Sequence, residues 1–111
     1  MGDAGFKIET VEERGLTVLK MQGQRLEITQ RESFGEACDR LLAAETEKIV
    51  IDLSDLDRIF SLFIGSLVDM HVRAERSGKH LSVIASEAVR ESLGRMGLEK
   101  TMDIIAAEGQ G

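Results

Sequence analysis

Three carboxylates, Asp52, Asp55 and Asp57, crowd the end of an apolar segment, Ile49-Val50-Ile51-Asp52-Leu53. Carboxylates at the C-terminal end of a buried strand can hold Mg²⁺ or accept a phosphoryl group. A receiver-type phosphoacceptor site needs more: an acidic pair after the first strand and a lysine after the last. Gly23-Gln24 stands at the first of those places and Met102-Asp103-Ile104 at the second. The chain therefore lacks the rest of a receiver site. The three aspartates read as a solvated acidic turn, with Ser54 or Asp55 bonding nearby backbone.

The other reactive side chains are scattered. His71 and His80 are the two histidines, on different elements, and no Cys/His pair has metal-ligand spacing. Both read as surface or helix-face histidines. Ser61 and Ser66 lack a Gly-x-Ser-x-Gly elbow and a triad. Cys38 falls on the apolar stripe of a helix, where a thiol is buried and inert. The glycines form neither a Rossmann nor a Walker pattern. The expectation is a non-enzyme with no catalytic residue, no cofactor and no metal.

Composition narrows the partners. The chain has 111 residues, 42% hydrophobic, with a net charge of −6. One core is affordable at this length, which gives one domain over residues 1–111 with a core of about 6–105. An acidic chain without a Lys/Arg cluster repels nucleic acid and anionic membrane. No apolar run approaches the roughly 20 residues of a membrane span. Met1–Gly5 shows no secretory leader, and a single cysteine suits a reducing cytoplasm. A cytoplasmic protein with a protein partner is expected, with a homo-oligomer as a further possibility.

These side chains need a scaffold, and the hydrophobic pattern supplies one. Phe6–Glu12 alternates as an edge strand, Glu13-Arg14-Gly15 turns, and Leu16–Met21 returns as its hairpin mate. Thr29-Gln30-Arg31-Glu32 matches a capping box. Phe34, Ala37, Cys38, Leu41 and Leu42 then form one helix stripe. The β-branched run Ile49-Val50-Ile51 predicts a central strand covered on both faces. A second helix runs from about Ser61 to Ser77, stopped by Gly78. Its inward residues are expected to include Ile64, Leu67 and Val68. Lys79–Ile84 is a strand. Ser86 caps a third helix, with Val89, Leu93 and Met96 buried and Gly97 at its end. Met102–Ile105 is a last short strand, and Ala106–Gly111 is expected to fray. The fold class is α/β, with a mixed, mainly parallel sheet of four to five strands in the order β-β-α-β-α-β-α-(β).

From Phe6 to Ile105 this pattern resembles the STAS domain family of bacterial anti-sigma factor antagonists. Val18–Glu27, with Gly23-Gln24-Arg25-Leu26-Glu27, is similar to the family's strand ending in Gly-x-Leu-Asp/Glu. Ile49–Leu56 resembles its central D-L-S segment, and Ile64-Gly65 its Leu-Gly. Arg76-Ser77-Gly78-Lys79 resembles the basic–glycine turn. Val89–Asp103, containing Gly97-Leu98, resembles the last helix and its exit. The order and spacing of the pieces carry the resemblance together.

The departures lie in one place. The family has Asp-Ser-Ser/Thr-Gly at the second helix's start, and its second hydroxyl is phosphorylated by a partner kinase. Here those positions hold Phe60, Ser61, Leu62 and Phe63. Leu62 stands at the acceptor position and cannot be phosphorylated. Ser61 reads as a plain N-cap. Leu62 and Phe63 are expected at a solvent-facing helix start, outside the centre of the core. With Ser66, they would form an apolar partner interface.

The resemblance implies a non-catalytic interaction module for partner switching and regulation of transcription, not switched at the usual site. Its implied partner is an anti-sigma factor or switch-kinase-like protein. A structural subunit of a signalling scaffold or transporter-associated complex is the second reading. A small-ligand-sensing domain is the third, with no residue here specific to it.

Overall fold

The computed structural model describes residues 7–107. The expected strand start at Phe6 and the end of the expected frayed tail lie outside them. The elements in chain order are β1 (Lys7–Glu13), β2 (Leu16–Gln22), α1 (Arg31–Ala43), β3 (Lys48–Leu53), α2 (Ser61–Arg76), β4 (His80–Ala85), α3 (Glu87–Arg95) and β5 (Asp103–Ala106). Short 3₁₀ turns at Ile28–Gln30 and Leu98–Lys100 precede α1 and β5.

The sheet order is β1-β2-β3-β4-β5. β1 and β2 are antiparallel, and each remaining pair is parallel. This is the mixed, mainly parallel α/β sheet expected from the hydrophobic pattern, with β3 at its centre. Arg14 (φ 54) and Gly15 (φ 80) make the two-residue hairpin turn, both in the left-handed region. Two positive φ values match the right-handed twist of the flanking strands, so the hairpin register stays fixed as Glu13 opposite Leu16.

Side chains alternate across the strands, which sorts them into two faces. Leu19 and Met21, then Ile49, Ile51 and Leu53, then Leu81, Val83 and Ala85 share one face and one core cluster. The buried residues of all three helices join that same cluster. The other face holds Val18, Val50 and Ser82 in one cross-strand row. Among the described residues no helix covers it. The expectation that β3 is covered on both faces is therefore corrected. Val50 is only 9% exposed because strands on either side shield it, not because a helix lies over it.

Helix boundaries follow local chemistry. Ser86 caps α3 as expected, its Oγ accepting from the Val89 amide at 3.2 Å. Gly78 (φ 75) ends α2 in a Schellman arrangement. The Gly78 amide donates to the Glu75 carbonyl at 3.1 Å, and the Lys79 amide to the Ala74 carbonyl at 2.9 Å. Lys79 then caps the end of α1 from outside, its Nζ donating to the carbonyls of Ala44 and Thr46 at 2.6 Å each.

Two expectations at helix ends are corrected. Thr29 is not the cap of α1. It sits inside the 3₁₀ turn, and the reach-back bond runs instead from the Glu27 amide to Gln30 Oε1 at 2.7 Å. Met96 is 56% exposed, not buried. The helix stops at Arg95, and Gly97 (φ 72) turns the chain away before Met96 can complete the stripe. Met102 fills the core position in its place, at 4% exposure.

Candidate protein-interaction site

The link from β3 to α2 is an anchored loop. Asp52 Oδ1 accepts from the Ser54 amide at 3.0 Å, closing the first turn. Leu56 and Ile59 are buried and pin the loop from below. The Asp57 amide donates to the Gln24 carbonyl at 2.8 Å, and Ser86 Oγ donates to the Leu56 carbonyl at 2.7 Å. Bonds to the segment after β2 and to the cap of α3 thus hold the loop in place and set where α2 starts. Asp55 and Asp57 stay exposed. No group of three His, Cys, Asp or Glu side chains is arranged to hold a metal ion among the described residues. Asp52 is half-buried, and it makes the local backbone bond that was expected of Ser54 or Asp55.

α2 begins without a side-chain cap. Phe60 is the N-cap residue, in extended backbone (φ −84, ψ 152), and its carbonyl accepts from the amides of Phe63 and Ile64. Ser61 is already inside the helix as its first residue. The expectation that Ser61 caps α2 is corrected: it lies one position too late for its oxygen to reach back to an orphan amide.

Phe63 lies on the opposite side from where it was expected. It is fully buried, with its ring edge-on to Phe34 at 5.7 Å and 85°. At about 100° per residue, Phe63, Leu67, Met70 and Ala74 form one inward stripe, and all four are buried. Phe63 therefore leaves the expected interface and joins the core. Leu62, one step round the helix, remains 38% exposed. Ser66 is half-buried, and its Oγ sits 3.4 Å from the Leu62 carbonyl.

Val68 is the second correction on this helix. Expected in the core, it is exposed, as are Val72 and Gly65. Positions 61, 65, 68 and 72 form the outward stripe at helical spacing, so inward and outward apolar residues share α2. Phe60, Leu62, Val68 and Val72 are the exposed large apolar residues of α2 and its cap. Exposed apolar residues along one helix make it a candidate interaction surface. The 61/65/68/72 spacing carries this signal in the sequence, but Val68 also adjoins the inward residues Ile64 and Leu67.

The remaining candidate residues do not gather here. Cys38 is buried on α1, and burial pushes its thiol up to about 12. His71 lies on α2 near Glu75 at 3.6 Å. His80 sits on the uncovered sheet face, 2.8 Å from Asp103 Oδ2, which also accepts from Ser82 Oγ at 2.7 Å. Those bonds hold the Asp103 carboxyl below its usual range, that of Ser82 first. Asp103 lies between His80 and Ser82, and no hydrogen bond joins either histidine directly to a serine or cysteine among the described residues. Among the described residues no helix is long and apolar enough to cross a membrane.

A five-stranded mixed sheet, one antiparallel pair and the rest parallel, with three helices packed on one face, defines a STAS-type fold. Residues 9–106 match the family model described as "Mlab, STAS domain", and the chain belongs to that family. No curated protein matches it. Among solved structures it is similar to an anti-sigma factor antagonist from Mycobacterium paratuberculosis. Identity there is 19%, covering 94% of this chain and 88% of that one, at a TM-score of 0.80. It is likewise similar to an anti-sigma-factor antagonist (STAS) domain protein from Planctomyces limnophilus. There identity is 21%, with 91% of each chain covered and a TM-score of 0.80.

Proposed function

We propose that the chain is a non-catalytic, cytoplasmic protein-interaction module of the anti-sigma factor antagonist type, meeting its partner through the outward face at the start of α2. One observation carries this reading. Phe60 (37% exposed) and Leu62 (38% exposed) stand at the helix start where the resembled family has its switch residues. The partner is an anti-sigma factor or a switch-kinase-like protein. Leu62 offers no hydroxyl, so the complex is not released by phosphorylation at that position. Its assembly is governed by concentration and by competition for the partner.

The test is titration calorimetry with an anti-sigma factor of the switch-kinase type encoded in the same genome. Covering the exposed part of Leu62 is worth roughly 1–2 kcal/mol at about 25 cal/mol per Å². Leu62→Asp should therefore weaken binding about tenfold or more while the protein stays folded. Unchanged affinity in that variant moves the interface elsewhere. Stoichiometric phosphate on Ser61 after incubation with kinase and ATP would overturn the unswitched reading.

A further inference from the structure

The sheet has two outer edges, and they are built differently. β1 forms one of them and carries Lys7, Glu9, Glu12 and Glu13. Charged side chains on an edge strand keep it from pairing with another chain. β5 forms the other edge as Asp103-Ile104-Ile105-Ala106, and Ala107 follows. From Ile104 to Ala107 it holds no charge, proline or glycine. Among the described residues no strand pairs with its outer side.

The open backbone groups can be assigned. The Ala107 amide donates to the Ala85 carbonyl of β4 at 3.0 Å. Successive residues of a strand point their N–H and C=O groups to opposite sides, so Ile105 also faces β4. Ile104 and Ala106 then turn theirs outward, away from the sheet. The Ile105 side chain lies on the face that no described helix covers and is 44% exposed. Half-buried Ile84 stands beside it in the same cross-strand row.

We propose that this edge is a self-association surface, in which β5 pairs antiparallel with β5 of a second copy about a two-fold axis at Ile105. That register sets Ile104 of each copy opposite Ala106 of the other. These are the residues with outward backbone groups, and each such pair exchanges both its N–H···O bonds. An axis at Ile104 would instead set Ala106 against Met102, which lies outside β5 and is buried in the core. With the axis at Ile105, the two Ile105 residues form the closer, non-hydrogen-bonded type of pair, Cα atoms about 4.5 Å apart. The row Ile84–Ile105 continues into Ile105 and Ile84 of the second copy as one apolar stripe. Asp103, the charged residue of the strand, falls opposite Ala107. The two Asp103 residues stand roughly 13 Å apart along the strands, so no like charges are apposed. A two-fold contact must be self-complementary, and this edge is so in its backbone and its side chains. A ladder this short makes an interface at the low end of specific ones. The dimer is weak, in the micromolar to millimolar range.

Sedimentation equilibrium of the full chain, from micromolar to millimolar concentration, should show a monomer–dimer equilibrium. Ile105→Lys puts two like charges on the axis and should weaken the dimer roughly tenfold or more. Ala106→Pro removes an outward N–H that β4 does not use, and should abolish the dimer. Far-UV circular dichroism should show both variants folded. Cysteine cross-linking reads the register. In a Cys38→Ala background, Ile105→Cys should give a disulfide-linked dimer under mild oxidation. Asp103→Cys should not, because its two copies lie beyond disulfide reach. A wild type that stays monomeric at millimolar concentration overturns the proposal and leaves the edge to a strand of another protein. So does a dimer that survives either Ile105→Lys or Ala106→Pro. A cross-link at Asp103→Cys in place of Ile105→Cys overturns it as well.

Discussion

Phe63 meets Phe34 edge to face, with ring centroids 5.7 Å apart and planes at 85°. This contact joins the first turn of α2 to the first turns of α1, at the position where the resembled family has only a glycine. The ring fills the interior beneath the helix start, so a substitution that looks like an added surface feature is a core residue. The neighbouring Leu62 keeps the outward direction.

Removing the Phe63 ring should therefore unfold more than it unbinds. Phe63→Ala is expected to cost about 3–5 kcal/mol, from lost burial plus the cavity left behind. Phe34→Ala should cost a similar amount. The double variant should show a coupling of roughly 0.5–1.5 kcal/mol from the aromatic pair itself. Urea melts of the four proteins measure all three quantities. A Phe63→Ala loss below about 1 kcal/mol would contradict the burial.

The sheet was legible because its signals are local and redundant. Ile49-Val50-Ile51 reads as a strand by β-branching, and Ser86 reads as a cap by type and position. The site was less legible because it depends on angles of about 100° between adjacent residues. Leu62 and Phe63 are both large and apolar, and composition cannot say which one turns inward. Val68 fits the inward stripe through Leu67 almost as well as the outward stripe through Gly65. Met96 has the right spacing from Leu93, but Gly97 ends the helix too early for spacing to matter. The Thr29 motif lost to Glu27–Gln30, a pairing two residues upstream that closes the same kind of turn without a hydroxyl.

Leu62 separates stability from binding. Leu62→Ser should cost about 1–2 kcal/mol, less than Phe63→Ala, since the residue is already 38% exposed. It should nevertheless restore a hydroxyl at the family's acceptor position. Phe63 is buried and does not screen that hydroxyl, so phosphorylation by a family switch kinase becomes possible in the variant and not in the wild type. Mass spectrometry after incubation with ATP distinguishes the two. Phosphate on wild-type Ser61 would be the contrary result.

Asp103 ties the edge strand β5 to β4 through Ser82 and His80. Its carboxyl is held below the usual range, so the stability it contributes is present above the ordinary carboxylate pKa. That contribution is lost as pH falls through the lowered folded value. The side chain is 42% exposed, so screening limits the effect to about 0.2–1 kcal/mol. Asp103→Asn should flatten the acid limb of a stability–pH curve by that amount, and Ser82→Ala should remove the larger part of it. An acid limb unchanged in both variants would place the titrating group elsewhere.

Cys38 governs the alkaline limb. The thiol is buried beside Asp39, and burial first, then that carboxylate, pushes it up to about 12. The unfolded thiol ionises near its ordinary value of about 8.5, while the folded one stays protonated. Above that ordinary value the native state binds more protons than the unfolded state, so stability falls as pH rises. The slope approaches about 1.4 kcal/mol per pH unit until the folded value is reached. Cys38→Ala removes the thiol and with it this slope, at the cost of a small cavity. Two measurements follow. Denaturant melts between neutral and alkaline pH should show a steeper decline in the wild type than in Cys38→Ala. A thiol reagent at mildly alkaline pH should label Cys38 in urea and spare it in the folded protein. Rapid labelling of the folded protein, together with parallel pH curves, would show the thiol to be ionised and accessible, contrary to its buried position on α1.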